Sequence, residues 1–219
     1  MNLGEILTQA RLELDDTEAD YLWSDSELIA YANEAQEQAC RRSRLIIDSS
    51  TPEVCEIQVV AGTSLYALDD RIISIKDVTD SRGFELTGKT VAWMNEFVSG
   101  WRNVEGDFIA FITDYETNKL KVYPIPKADS VIKLRVVRTQ LADMVALDSS
   151  PEIKSRYHRA LIHWVKHRAY LKKDADTLDK NASVEALSLF EAEFGVARPA
   201  YNIEFDLNNL PYDSLDGSF

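Results

Sequence analysis

The stretch from Trp23 to Ile46, WSDSELIAYANEAQEQACRRSRLI, constrains this chain more than any other. Ser24 followed by Glu27 makes a capping box, and Trp23 with Leu28 has the spacing of a hydrophobic staple, so a helix starts here with its first N–H groups satisfied. The inner stripe then runs Leu28, Ala32, Ala35, Ala39, Ser43 and Ile46. Small residues at three- and four-residue spacing let neighbouring backbones approach closely. Such a helix is expected at the centre of a close-packed bundle.

Other helices fit around it. Asn2 with Glu5 has the form of a second capping box, and Ile6, Leu7, Ala10 and Leu14 follow at helical spacing until Asp15-Asp16 opens a polar turn. Ser150-Pro151-Glu152 has the form of another helix start, with Ser as cap and Pro in the first turn. Ile153, Tyr157, Ala160, Leu161, Trp164, Val165 and Leu171 form its expected apolar face. After a break at Lys173-Asp174 comes a last helix with Leu178, Ala182, Ala186, Leu189, Phe190 and Phe194 inward, stopped by Gly195 and Pro199. These two are read as an antiparallel helical hairpin.

Between Cys55 and Leu147 the pattern changes to strands: CEIQVV, SLYAL, RIISIKDV, DFIAFIT, KLKVYP and VIKLRVV. Residues 108–113 and 119–123 flank a polar turn and predict a hairpin. Leu120 and Val122 alternate with Lys119 and Lys121, and Ile132, Leu134 and Val136 with Lys133 and Arg135. Alternation of this kind predicts antiparallel strands with one wet face. VAWMNEFVSGW is read as a short helix whose Trp93, Phe97 and Trp101 cover one end of the sheet. The expected class is α+β: a helical bundle from residues 1–50 and 150–197, an inserted antiparallel β module over 51–149, and an extended tail over 198–219.

Chemistry is scarce. The chain has no G-x-G-x-x-G, Walker loop, G-x-S-x-G or H-E-x-x-H. His163 and His167 share a helix face, but local sequence supplies no further ligand, and Lys166 and Arg168 would repel a cation. Asp15-Asp16 and Asp69-Asp70 sit where turns and caps are expected, and adjacent carboxylates rarely converge on one atom. No catalytic residue, cofactor or metal is therefore expected. Two cysteines, Cys40 and Cys55, are read as free thiols of an intracellular protein, and the Asn181-Ala182-Ser183 sequon is read as unused. Cys40 beside Arg41 and Arg42 is read as a packing residue. No basic-then-apolar N-terminal signal or membrane-length apolar run is present, so no anchor is expected.

Electrostatics supply the one outlier. The net charge is −13, yet residues 151–173 carry Lys154, Arg156, Arg159, Lys166, Arg168, Lys172 and Lys173 against Glu152 alone. One reading is a nucleic-acid-binding regulator using this basic helix. The other is a helix face that pairs with acidic neighbours in this chain or the next copy.

Several stretches carry a resemblance. Trp23-Ser24-Asp25 after an acidic turn, then Glu27-Leu28 and Asn33-Glu34-Ala35-Gln36, resemble the second helix of tailed-bacteriophage head-to-tail adaptor (connector or neck) proteins. KLKVYPIP, with Tyr123 to Pro126, resembles the strand that closes their β module, and SPEIKSRYHRALIHWVKHRAYLKKDAD resembles their third helix and its turn. The resemblance covers roughly residues 1–197 and leaves the tail and the basic cluster unmatched. It implies a structural virion protein in the neck: a homo-oligomeric ring, usually of twelve copies, beneath the portal. Such a ring extends the DNA channel, meets a downstream tail or neck protein, and lets DNA pass without sequence-specific binding. Copies carrying −13 each would give an acidic channel wall on which DNA slides. The expected protein-interface residues are Arg159, Lys166 and Arg168 on the basic helix and Tyr201, Phe205, Tyr212 and Phe219 in the tail.

Overall fold

A computed structural model describes residues 1–18, 20–174, 176–200 and 202. In chain order the elements are α1 (Leu3–Leu14), α2 (Asp25–Ser43), β1 (Ile46–Asp48), α3 (Pro52–Cys55), β2 (Glu56–Val59), β3 (Leu65–Ala67) and β4 (Ile72–Asp80). There follow β5 (Thr87–Gly88), α4 (Val91–Phe97), β6 (Glu105–Gly106), β7 (Ala110–Ile112), β8 (Lys119–Tyr123), β9 (Ile125–Pro126) and β10 (Ser130–Arg138). Last come a 3₁₀ helix over Ser155–Ala160, α5 (Leu161–Tyr170) and α6 (Lys180–Phe194). The α+β expectation holds. The chain divides into a helical unit, Met1–Ile46 with Thr139–Arg198, and a β unit containing Ile47–Arg138.

In the helical unit both capping boxes form. Asn2 Oδ1 accepts from the Glu5 N–H at 2.8 Å, and Ser24 and Glu27 close the same ring at the start of α2. The α1 N–H groups of Leu3 and Gly4 bond the carbonyls of Ser149 and Leu147 at 2.7 and 2.8 Å, which ties that loop to the first turn. Asp15 ends α1 in the left-handed region at φ 56°. The stripe of α2 is buried at Leu28, Ala32, Ala35, Ala39 and Cys40, and the helix packs on α5 and α1.

 The alanines are fully buried. Two details differ from expectation. The helix stops at Ser43, where Arg44 takes φ 53°, so Ile46 belongs to β1, and Gln36 joins the buried face. Replacing Ala35 with Leu is expected to cost about 1–3 kcal/mol by overpacking, read as a lower midpoint in thermal unfolding, whereas Ala30→Leu on the exposed face of α2 leaves the midpoint nearly unchanged.

No helix starts at Ser150-Pro151-Glu152. The Glu152 N–H instead bonds Gln36 Oε1 at 2.5 Å, and its carboxylate accepts from the Leu141 N–H at 2.9 Å, so these groups are committed before a helix can use them. A 3₁₀ turn begins at Ser155 and α5 only at Leu161. Ile162 and Ala169 are buried on α5, and Leu171, expected inward, is exposed beyond the helix end. α6 is capped by Asp179, whose Oδ1 accepts from the Asn181 and Ala182 N–H groups at 2.9 and 3.0 Å. It packs against α5 and buries Ser183, Ala186, Phe190 and Phe194, while Leu178 and Leu189 face solvent. The Trp164, Phe190 and Phe194 rings meet in sequence, tilted by 54° and 47°, with centroids 5.0 and 4.7 Å apart.

In the β unit, β10 is the central strand. It pairs antiparallel with β2 and β4, in the same sheet as β1. Ile132, Leu134 and Val136 point into the core and Lys133 and Arg135 outward, as the alternation predicts. Register shifts after Arg135 and Val137 break that alternation and bury Val137 and Arg138 as well. A second sheet runs β3-β8-β7-β5, with the predicted β7–β8 hairpin in antiparallel register, Phe111 opposite Val122.

Three expectations change here. Cys55 closes α3 instead of starting a strand. The β5–β7 and β6–β9 pairs are parallel, so the sheets are mixed. Each pair is joined by a connection long enough for a crossover, about a dozen residues being the minimum. Lys121 is not on a wet face. It is buried, its ammonium donates to Ser64 Oγ at 2.8 Å, and it lies 4.7 Å from the Tyr115 ring centre. Of the aromatics on and after α4, Trp101 is buried with Met94 and Ile112, whereas Phe97 is exposed.

Candidate interaction surfaces

The basic segment does not present one continuous cationic face. Lys166 Nζ lies 3.1 Å from Glu13, Arg168 Nε 3.3 Å from Glu34, and Lys172 Nζ 3.0 Å from Glu27. Three cations therefore join α5 and the turn after it to α1 and α2, each pair contributing about 0.2–1 kcal/mol in its partly exposed setting. Burial works against the charge on Glu13, but the Lys166 ammonium and the Gln9 amide together hold its carboxyl below the ordinary range. Glu27 is lowered too, first by the Ser24 N–H and then, against burial, by Lys172.

Lys154, Arg156 and Arg159 behave differently. All three are exposed, and none has an ion-pair partner among the described residues. Arg156 lies over the Tyr157 ring at 4.8 Å, and Tyr157 in turn packs against Phe194. Arg156 and Arg159 are three apart on a 3₁₀ helix, which repeats every three residues, so they stand one above the other. Tyr201, Phe205, Tyr212 and Phe219 lie outside the described residues.

Two of the three histidines are held by backbone carbonyls. His158 is buried, with Nδ1 2.8 Å from the Met1 carbonyl and Nε2 2.8 Å from that of Ile153. His167 Nδ1 lies 2.9 Å from Ser183 Oγ and 3.0 Å from the Ser183 carbonyl, which commits it to the α5–α6 contact. Burial lowers the pKa of His163, against the pull of Glu13. Among the described residues no three His, Cys, Asp or Glu side chains converge as a metal site.

The paired carboxylates are structural. Asp15 caps α1 and Asp16 binds Arg11 at 2.5 Å, while Asp69 binds Arg71 and Asp70 accepts from Asn118. Both cysteines are buried and unbridged, and burial pushes the Cys55 thiol upward. Among the described residues no helix is long and apolar enough to cross a membrane.

Sequence reasoning missed the buried arginine locks, of which two stand out. In the helical unit Arg11 reaches Asp16, Asp25 at 2.6 Å and the Trp23 carbonyl at 2.9 Å, while Trp23 Nε1 donates to the Ala169 carbonyl at 3.0 Å. In the β unit Arg138 Nε donates to Asp48 at 2.6 Å. The signal for Arg11 was its place on the apolar face of α1, one residue after Ala10 and three before Leu14.

The Tyr123-Pro124-Ile125-Pro126 run turns the chain from β8 into β9. Neither proline has an N–H to give, so Ile125 supplies the bond, to Val104 at 2.8 Å, and the Pro126 carbonyl accepts from Gly62. The Tyr123–Pro124 bond is cis. Gly106 runs close beside Pro124; a Cβ there would meet its ring at 3.5 Å.

The chain thus has two separately cored units, buried ion pairs that fix turns, and cations that join helices within the helical unit. The chain matches the SU10 adaptor protein family over residues 1–206 and belongs to that family of phage head-to-tail adaptors. No curated protein matches it.

Proposed function

We propose that the chain forms a ring of twelve copies beneath the portal of a tailed phage, in the neck between capsid and tail. The ring extends the DNA channel and provides the platform on which the downstream tail or neck protein assembles. Family membership across residues 1–206 carries this reading. The close-packed α2 stripe supports it, because a ring subunit that bears load must hold its shape. The net charge of −13 supports it too, since an acidic wall does not anchor passing phosphates. The regulator reading is weaker, because Lys166, Arg168 and Lys172 are engaged by carboxylates of the same unit.

Solution mass tests the proposal. The purified chain of 24.8 kDa is expected to convert to one defined ring on mixing with the portal of the same virus. A chain indifferent to the portal, yet shifting on duplex DNA at low salt, would overturn it.

A further inference from the structure

We propose that Lys154, Arg156 and Arg159 form a docking site for the acidic, aromatic C-terminal segment of a neighbouring copy of this chain. The inference rests on the ring reading, which places copies side by side, and deepens it by naming a contact between them. Three observations carry it.

First, these cations are left over. Lys166, Arg168 and Lys172 each meet a carboxylate of their own unit, whereas Lys154, Arg156 and Arg159 are exposed without an ion pair among the described residues. Second, the sequence after Arg198 contains Glu204, Asp206, Asp213 and Asp216 and no Lys or Arg, with Tyr201, Phe205, Tyr212 and Phe219 among them. Its charge is wholly acidic, and its aromatics suit guanidinium faces. Arg156 already lies against an aromatic ring, that of Tyr157.

Third, the spacings agree. Three residues of 3₁₀ helix advance about 6 Å, which separates Arg156 from Arg159 along one face. An extended segment brings alternate residues to one side about 6.6 Å apart, so Glu204 and Asp206 would face the two guanidinium groups together. Phe205 would then point the other way. Charge-assisted pairs of this kind fix register as well as attraction.

The probe is a fluorescently labelled peptide of residues 199–219, titrated by anisotropy onto the full-length protein. Saturable binding that weakens with salt is expected. Arg156→Glu with Arg159→Glu should weaken it roughly tenfold or more, and a peptide carrying Glu204→Lys and Asp206→Lys should regain binding on that variant. Arg156→Ala with Arg159→Ala gives a smaller loss and guards against misfolding of the reversed pair, which thermal unfolding also reports.

No binding, or binding indifferent to these substitutions, would overturn the proposal. So would binding seen only with a chain ending at Asn202 when the full-length chain is a monomer by solution mass, because a chain's own tail would then occupy its own site. Loss of duplex-DNA retention, with peptide binding unchanged, would make the cluster a phosphate surface instead. The readout needs no portal, so failure of the ring reading and failure of this contact are separable.

Discussion

Substituting Arg11 with alanine is expected to destabilise the helical unit by about 3–5 kcal/mol, the cost of leaving a buried carboxylate without its partner. Asp16 is the reason. Its side chain is 3% exposed and pairs with Arg11 at 2.5 Å. Its other oxygen accepts from the Leu22 N–H at 2.8 Å, so the charge is built into the α1–α2 turn. Asp25 matters less, because it is 70% exposed and water replaces the guanidinium there. Denaturant unfolding of Arg11→Ala checks the magnitude. The double change Arg11→Met with Asp16→Asn should recover much of the loss, since no uncompensated charge stays buried. A single variant that unfolds like the parent chain would mean that water reaches Asp16.

Asp48→Ala is expected to cost the β unit a similar amount, about 3–5 kcal/mol, by removing the buried carboxylate to which Arg138, 5% exposed, donates. Here pH adds a second reading. Burial alone would raise the Asp48 pKa. The Thr51 hydroxyl, the Ser50 N–H, Arg138 and the Thr51 N–H together outweigh burial and hold it well below its ordinary 3.8. A carboxyl lowered on folding contributes stability that is fully present above its unfolded value and is lost as pH falls below about 4. Asp69 and Asp80, also lowered, push the same way. The β unit is therefore expected to lose stability between about pH 5 and pH 2. Asp48→Asn should be weaker at pH 7 but shallower in its decline with acid. Hydrogen exchange of the β10 amides across that range measures both, and equal slopes in parent and variant would remove Asp48 from the account.

Much of this architecture was legible because its signals are local. Capping boxes at Asn2 and Ser24 involve residues three apart, and the outward Lys133 and Arg135 show in a simple alternation. What was illegible depends on distant partners. Nothing near Glu152 announces that Gln36 will take its N–H, so Ser150-Pro151 looked like a helix start. Lys121 fits a wet-face pattern until Ser64, Trp101 and Tyr115 surround it. Leu178 and Leu189 have the right residue type, but the hairpin needs only one narrow stripe of α6, and Ser183 takes a place there by bonding His167. The basic segment was visible as composition. Which of its charges stay unspent was decided by Glu13, Glu27 and Glu34, more than a hundred residues earlier.

The alanines of α2 have a consequence for motion. Alanine has no side-chain torsion to change, so the contact made by Ala32, Ala35 and Ala39 has no alternative rotamers into which to relax. A seam of leucines or methionines could shift by repacking, whereas this one permits only whole-helix movement or none. Adjustment across this seam is therefore carried by the turns and loops that let whole helices move.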